Sequence, residues 1–312
     1  MPTPLNIVDF HTHLWPPAWG PGGSRSKPSG AISPEILRRI ISPETLLQEF
    51  ETAGVSQAVI TTTIESLFGV DGPVEPPVIA EVNDWLATLV NAHPQRLAAL
   101  ATVDAFSGEQ GAKEAERAVV ELGLSGLVID SSRRGLFLND ASVRPTLEVA
   151  ARLKVPVFVH PVGAPNADIL IAGAGTLGNS LGRGLMNGVA FLSILQAGIL
   201  DELPDLHLVF ATLGLGAIVQ AARGGKFSRQ ARAAGDRPNV YFDTMGSDPD
   251  IIKTLVNFFG AERVLAGTDW PILPALSQQA LAHSLTEAGL SPADQQLIAG
   301  GNAQRLFSLR HR

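Results

Sequence analysis

The chain has 312 residues, of which 45% are hydrophobic and 17% charged, a composition typical of a globular protein and a length that suits one α/β barrel. Because it contains no cysteine, disulfide bonds, thiolate metal ligands and a cysteine nucleophile are excluded. Its net charge of -7, without a dense basic cluster, argues against nucleic acid as a partner.

Two stretches bear on the compartment and on membranes. Residues 1–6 lack the charged and apolar regions of a secretory signal, so we expect a cytoplasmic protein. Residues 189–200 form the most apolar later stretch, but they are fewer than the ~20 needed to span a bilayer and they include Ser193 and Gln196. We therefore expect no membrane span. The length of the chain predicts one domain over residues 1–312, and the expected partner is a small molecule.

Short β-branched runs alternate along the chain with longer amphipathic runs. This alternation favours a closed (β/α)8 barrel of the TIM type, with an open doubly wound sheet as the structural alternative. The predicted strands are 6–13, 57–63, 97–103, 126–130, 155–160, 207–212, 240–243 and 264–267. The predicted helices are 43–53, 77–92, 108–122, 140–153, 184–200, 249–259 and a terminal helix at 291–306.

Two long connections follow predicted strands and therefore belong to the catalytic face of the barrel. Residues 15–33, after the first strand, are rich in Pro, Gly and Ser. They are interpreted either as a lid over the pocket or as a solvated flap. Residues 161–183, after the fifth strand, form the second long loop.

Histidines and carboxylates occur where predicted strands end. Asp9, His11 and His13 occupy alternate positions in the first strand, so they are predicted to face the barrel interior together. Two imidazoles at this spacing can bind one ion, whereas burying them unpaired is costly. His160 ends the fifth strand, and Asp269 follows the eighth, which lies beside the first in a closed barrel. We therefore predict a metal centre of His11, His13, His160 and Asp269.

Nitrogen and oxygen ligands suit zinc, manganese or iron(II), and we expect one divalent ion per chain, with zinc first among these. The other histidines do not fit the strand-end pattern. His93, His207, His283 and His311 are assigned to structural or surface positions.

These motifs resemble the amidohydrolase superfamily, in the branch that contains aminocarboxymuconate semialdehyde decarboxylase, resorcylate-type decarboxylases and pyrone-dicarboxylate lactonase. Residues 9–13, 157–161 and 267–271 resemble the motifs of the first, fifth and eighth strands of this branch. Residues 198–206 and 301–303 resemble its approach to the sixth strand and its terminal helix. The resemblance spans nearly the whole chain.

The resemblance implies that His11, His13 and His160 hold the ion, while Asp269 ligates it or handles a proton. One position departs from the branch, which has a histidine at the end of the sixth strand where this chain has Thr212. In the branch, that histidine orients water or assists protonation. We therefore expect Asp269 to be the group that transfers protons and Thr212 to be a positioning group.

Three functions remain open at this point. We prefer hydrolysis of an amide, lactone or related carbonyl by metal-activated water, with Asp269 as the base. The preference rests on the two histidines of the first strand, because several decarboxylases of the branch have an acidic residue at the first of these places. The alternatives are non-oxidative decarboxylation of an aromatic or dienoic acid, with Asp269 or water protonating carbon, and a non-catalytic ligand-binding barrel.

Substrate-binding candidates lie on segments that follow predicted strands. A cation there can pair with a carboxylate, and the substrate is expected to be carboxylated or cyclic. The candidates are Trp15, Arg25, Arg133, Arg183 and Trp270. Barrels of this branch are often dimers, which leaves a homodimer open.

Overall fold

The computed structural model describes residues 4–26, 32–223 and 239–311. Within them, eight parallel strands form one sheet in which sequential strands are neighbours. The strands are β1 (Ile7–His13), β2 (Val55–Thr61), β3 (Leu97–Thr102), β4 (Gly126–Asp130), β5 (Pro156–His160), β6 (His207–Phe210), β7 (Val240–Asp243) and β8 (Val264–Leu265). The N–H of Phe10 donates to the carbonyl of Ala266, and the N–H of Asp269 to that of His11, both at 2.8 Å. These bonds bring β8 back to β1, and the predicted barrel is confirmed.

Helices cover the outside of the barrel, and their ends follow local sequence signals. In Pro43–Ala53, for example, the Ser42 hydroxyl accepts the N–H of Thr45 at 3.2 Å, and Gly54 ends the helix with a φ of 75°. The α-helices of the described residues are Pro34–Ile40, Pro43–Ala53, Ile64–Phe68, Pro76–Ala92, Glu109–Val120, Arg144–Leu153, Ala167–Ala174, Thr176–Gln196, Ile199–Glu202, Leu215–Arg223, Pro249–Phe259, Gln278–Glu287, Pro292–Gln296 and Asn302–Ser308. None of them is both long and apolar enough to cross a membrane.

Shorter elements occupy the connections. Two strands, Ser132–Arg133 and Leu136–Phe137, form a small antiparallel hairpin after β4. A single π-helical turn, Leu297–Gly301, precedes the terminal helix. The 3-10 turns are Pro17–Trp19, Ala105–Ser107, Thr212–Gly214, Ala261–Arg263 and Leu309–His311.

The connection after β5 differs from the prediction, because most of it is helical. Ala167–Ala174 is a helix, and Thr176–Gln196 begins eight residues before the predicted start at position 184. The sequence predicts a loop at residues 161–183, but in the structure glycines permit close packing of the helices here. A Cβ on Gly182 would lie 2.9 Å from the Cβ of Ala164, and one on Gly188 would lie 2.8 Å from that of Ala217. Small side chains at these positions therefore serve helix packing.

Apolar side chains fill the barrel interior below the ends of the strands. Phe10, Phe158 and Val209 belong to this inner cluster, and Phe307 of the terminal helix stacks on Phe10 at 5.8 Å. Asn302 anchors the same helix, since its amide donates to the carbonyls of Ala261 and Val264 at 2.7 Å each. One end of the barrel is thus closed by packing, and the functional side chains lie at the other.

The first strand is irregular, which corrects the predicted alternation of Asp9, His11 and His13. Asp9 pairs with Ala58 and Thr12 with Ile60, so the register shifts between these pairs. The carboxylate of Asp9 accepts the N–H of His11 at 3.1 Å and is also bonded by Thr268. A strict period of two fails because this β-bulge adds a residue, and Asp9 stays with Thr268 instead of joining the two histidines.

His207, at the start of β6, gives a testable pH dependence of stability. Burial, with a further contribution from the Arg263 guanidinium, lowers its pKa to about 4 from 6.5. The unfolded chain therefore binds more protons between these values, and the free energy of unfolding should fall as the pH drops from about 6.5 to about 4. The His207 ring packs against Tyr241, so a phenylalanine ring should fit in its place. His207→Phe should reduce this loss of unfolding free energy by about 1–2 kcal/mol. The effect is smaller than the full pKa shift implies, because the histidine ring keeps some solvent contact.

Urea unfolding at a series of pH values measures this effect. His283→Gln is the matched control, because His283 is exposed on a helix and its pair with Glu287, at 3.5 Å, is a surface contact worth only about a few tenths of a kcal/mol. An equally steep loss of stability in His207→Phe and in the parent would show that another group is responsible.

Candidate metal centre and active site

The structure brings His11, His13, His160 and Asp269 together at the open end of the barrel. One donor atom from each lies within 4.8 Å of the others. The ring centroids of the three imidazoles are 4.9–5.5 Å apart, and the rings are nearly perpendicular, at 83–90°. The four side chains come from β1, the end of β5 and the turn after β8, so the parallel barrel itself assembles them.

Unpaired nitrogens show that this group fits a metal ion. Nε2 of His11 and Nδ1 of His160 are buried and have no hydrogen-bond partner among the residues that the structure describes. Leaving buried polar atoms unpaired is costly, and an ion that accepts imidazole nitrogen and carboxylate oxygen would remove that cost. Three nitrogens and one oxygen form a plausible ligand set for a borderline divalent ion.

His13 is held in an orientation that suits this role. The hydroxyl of Thr61 donates to the carbonyl of Thr12 at 2.9 Å, so its oxygen is available to accept from His13 Nδ1 at 2.8 Å. That leaves Nε2 of His13 on the side of Asp269, 3.0 Å from its Oδ1. Fixing one ring nitrogen by a hydrogen bond directs the other toward the ion.

Asp269 reaches the imidazoles through an unusual backbone conformation. Its φ is 70°, in the left-handed region, which aspartate tolerates better than most side chains. Gly267 makes the close approach possible, because a Cβ there would lie 3.0 Å from the Cβ atoms of both His11 and Asp243. The sequence Gly-Thr-Asp after β8 is therefore required by local geometry as well as by the carboxylate.

The charge states of three members of the group agree with metal binding. His11 differs, because burial acts to lower its pKa but the carboxylates of Asp243 and Asp269 outweigh burial and raise it. Burial lowers the pKa of His13, and it lowers that of His160 further, with help from the two neighbouring imidazoles. Burial acts to raise the pKa of Asp269, but His11, His13 and Arg183 outweigh it and lower the pKa. Neutral imidazoles and an ionised carboxylate are the forms that bind a cation.

Thr212 is not directed at this group. Its hydroxyl donates to the backbone carbonyl of Asp243, and its N–H donates to Asp243 Oδ1 at 2.9 Å. The other oxygen of Asp243 lies 2.5 Å from Nδ1 of His11. The only hydroxyl proton of Thr212 is thus used in a bond to the protein backbone.

Two of the predicted substrate-binding arginines lie near the mouth, and both are bonded to protein groups. Arg183 donates to both carboxylate oxygens of Glu65 at 2.8 Å and to the carbonyl of Pro161 at 2.9 Å. Its charge helps to lower the pKa of Asp269, and its bond to Pro161 holds it next to the end of β5, where His160 lies. Arg133 is buried and donates to the carbonyl of Gly72.

The two tryptophan candidates are not part of the four-residue group. The indole of Trp270 is fully buried, and its Nε1 donates to Glu49 at 2.8 Å on the helix Pro43–Ala53. Trp15 is buried in the main apolar cluster, which contains side chains from both the strands and the helices. Trp270 therefore packs behind the strands, whereas Nε1 of Trp15 is buried with no hydrogen-bond partner among the described residues.

Arg25 lies on the predicted lid and is partly exposed. Its guanidinium is 5.4 Å from the ring centroid of Trp19 and 3.8 Å from the carboxylates of Glu75 and Glu81. The part of the lid at residues 27–31 is outside the described residues. Its closure over a substrate stays a prediction.

Comparison of the sequence with known proteins identifies the family of this chain. A family model described as amidohydrolase matches residues 8–309. The chain belongs to the amidohydrolase family. This amidohydrolase is 28% identical to a 2-amino-3-carboxymuconate-6-semialdehyde decarboxylase of Dictyostelium discoideum, over 97% of this chain and 91% of that protein. It is also 28% identical to a gamma-resorcylate decarboxylase of Polaromonas sp., over 73% and 75% of the two chains.

A solved structure shares the fold. The 5-carboxyvanillate decarboxylase of Novosphingobium aromaticivorans, with bound manganese and 3-methoxy-4-hydroxy-5-nitrobenzoic acid, superimposes with a TM-score of 0.79 at 19% identity and covers 97% of each chain. The family model and the decarboxylase relatives confirm the branch that the sequence motifs resemble, and the protein is an enzyme of the amidohydrolase superfamily.

The preference for hydrolysis is wrong, because these relatives are decarboxylases. It rested on a histidine at a position where several decarboxylases have an acidic residue. A histidine in place of an acidic ligand changes the charge of the ion site. It does not determine whether the enzyme hydrolyses its substrate or removes carbon dioxide from it. The reaction depends on how the substrate is placed, and the metal ligands alone do not reveal that.

Two carboxylates of this amidohydrolase were missed by the sequence reasoning. Asp243 ends β7 and bonds His11, whereas Asp130 ends β4, where it pairs with His160 in the strand register. Burial, followed by the charge of Glu65, raises the pKa of Asp130 well above its ordinary value. Both positions carried the signal used for Asp269, an acidic residue at the end of a barrel strand, and applying it to every strand would have found them.

Proposed function

We propose that this amidohydrolase is a metal-dependent, non-oxidative decarboxylase of a small aromatic or dienoic acid. The metal dependence rests on the convergence of His11, His13, His160 and Asp269, with unpaired nitrogens, at the barrel mouth. The decarboxylase relatives support the reaction. Manganese is the first candidate ion, because related solved structures contain it.

The chemistry follows from what the side chains at the mouth can do. A divalent ion in this ligand set would hold the substrate carboxylate and an adjacent oxygen. During the reaction the bond between the carboxylate and its carbon breaks, carbon dioxide leaves, and the electron pair stays on carbon, where a proton must be added. Asp269 is ionised in its metal-binding form, so it is proposed to take a proton from the solvent and pass it to this carbon, since the Thr212 hydroxyl is bonded to Asp243 and does not titrate near neutral pH.

Arg183 is the proposed substrate-orienting cation. Two bonds to Glu65 and one to the Pro161 carbonyl fix the guanidinium on the side of the mouth where its charge acts on Asp269. A positive group in this place attracts an acid substrate and favours its carboxylate over a neutral amide or ester. This preference agrees with decarboxylation.

Release of carbon dioxide tests the proposal. The chelator-treated protein would be loaded with Mn2+ and offered gamma-resorcylate, 5-carboxyvanillate and 2-amino-3-carboxymuconate-6-semialdehyde, the acids named by the relatives and the solved structures. We expect at least one acid to yield one carbon dioxide per molecule consumed, about a thousandfold faster with Mn2+ than without. Headspace mass spectrometry measures the product.

A panel of lactones and amides, assayed with the same metal-loaded protein, is the control for the reaction class. Hydrolysis of a panel member, together with no carbon dioxide from any of the acids, would refute the proposal.

A further inference from the structure

We propose that Asp243 is a positioning residue for the metal centre: its carboxylate orients His11, and Thr212 holds that carboxylate in place. The inference concerns how the ion is bound, so it does not depend on which reaction the enzyme performs. It also gives a role to Thr212, whose side chain does not face the group that would contact a substrate.

The bond between Asp243 and His11 is buried. The distance from Oδ2 to Nδ1 is 2.5 Å, and the exposed fractions of the two side chains are 0% and 1%. A carboxylate in this place requires the proton of the imidazole to be on Nδ1, which leaves Nε2 to face the other ligands. Nε2 of His11 is 3.4 Å from Asp269 Oδ1 and has no hydrogen-bond partner among the described residues. The ring thus has one nitrogen engaged by Asp243 and the other free for an ion.

Asp243 is itself held from several sides. Its Oδ1 accepts the N–H of Thr212 at 2.9 Å, and its backbone carbonyl accepts the hydroxyl of the same residue. Its backbone pairs with Leu265 of β8. On the other side, Gly267 leaves so little space that an added Cβ would lie 3.0 Å from the Cβ of Asp243. These contacts restrict the carboxylate to the direction of His11.

The contacts explain why a carboxylate is needed. Each oxygen of Asp243 accepts from one N–H, that of Thr212 or that of the His11 ring. Asparagine has one acceptor oxygen, so its NH2 group would face one of these two donors in either orientation. Asp243→Asn keeps the size and removes one acceptor, which makes it a specific test of the positioning role.

The test is the affinity for Mn2+ itself, measured by electron paramagnetic resonance of the free ion during titration of chelator-treated protein. We expect Asp243→Asn to weaken binding by about 10–100-fold, the range usual for a group that orients a metal ligand. Thr212→Val keeps the N–H bond and loses only the hydroxyl, so a smaller loss of a few-fold is expected. No substrate is involved, so failure here is distinguishable from failure of the proposed decarboxylation.

Asp104→Asn is the control, because Asp104 is a partly buried carboxylate that follows β3 and accepts the N–H of Phe106, a bond that asparagine can keep. Its Mn2+ affinity should stay within about twofold of the parent, well below the change expected for a group that orients a ligand. If Asp243→Asn lowers the melting temperature of the metal-free protein but binds Mn2+ as tightly as the parent, Asp243 serves only folding and the proposal is overturned.

A second measurement does not require the Asp243→Asn variant, so it tests the proposal even if that variant fails to fold. In the zinc-loaded parent, labelled with 15N histidine, the His11 signals are assigned by their loss in His11→Ala. We expect a metal-bound Nε2 and a protonated Nδ1. Metal bound through Nδ1 would contradict the proposal.

Discussion

Asp269→Asn is expected to lower the turnover of decarboxylation by about 10²–10⁴-fold, with a much smaller change in KM. The amide has nearly the same shape as the carboxylate but does not gain and release a proton near neutral pH. Asparagine also tolerates the left-handed backbone at this position, where φ is 70°, so the fold should be retained. The loss would therefore measure proton transfer and charge at Asp269.

The measurement is steady-state release of carbon dioxide by metal-loaded protein, with the metal content of each sample determined. Asp71→Asn is the matched control, since Asp71 is exposed and has a φ of 57°. It makes the same chemical change in the same backbone region outside the metal centre, and near-parental turnover is expected. Near-parental turnover in metal-loaded Asp269→Asn would show that the proton comes from another group.

His160→Ala is expected to reduce the metal content of the purified protein to a small fraction of the parent value and to bring turnover to background. His160 is the proposed ligand from β5, and its Nδ1 is buried with no hydrogen-bond partner among the described residues. Without it, two imidazoles and one carboxylate remain, and the loss of one nitrogen donor should weaken binding of a borderline divalent ion.

Thermal unfolding with and without Mn2+ gives a readout independent of activity. Binding to the folded state should stabilise the parent by about 2.7 kcal/mol at a free ion concentration 100 times Kd, and His160→Ala should gain far less at the same concentration. His93→Ala is the control, because His93 caps the helix Pro76–Ala92 outside the metal centre. Equal stabilisation of His160→Ala and the parent would exclude His160 as a ligand.

The order of strands and helices was accessible from the sequence because it depends on local patterns. Proline and serine at helix starts and β-branched runs between turns predicted helices such as Pro43–Ala53 and Pro249–Phe259 with the observed bounds. Local patterns failed where tertiary packing competes with them. Residues 161–183 were predicted to be a loop, but most of them are helical, and Gly182 allows a close approach to Ala164.

The placement of the four proposed metal ligands could also be predicted, because a parallel barrel brings the carboxyl ends of all its strands to one mouth. A residue that ends a strand is assigned to the mouth without knowledge of side-chain packing. The same rule does not state which side chain at the mouth bonds which other. His11 and Asp243 are 232 residues apart, and their contact depends on the strand order and on the register of β7 with β8.

The sequence by itself therefore determined the barrel and the set of side chains at its mouth, since both follow from periodicity and from strand ends. Only the tertiary structure decided the direction in which each side chain points. Asp9 turned to Thr268 because β1 has a bulge, Trp270 packed against the outer helix, and the Thr212 hydroxyl bonded Asp243. These directions come from the register and close packing between distant segments, which no local pattern encodes.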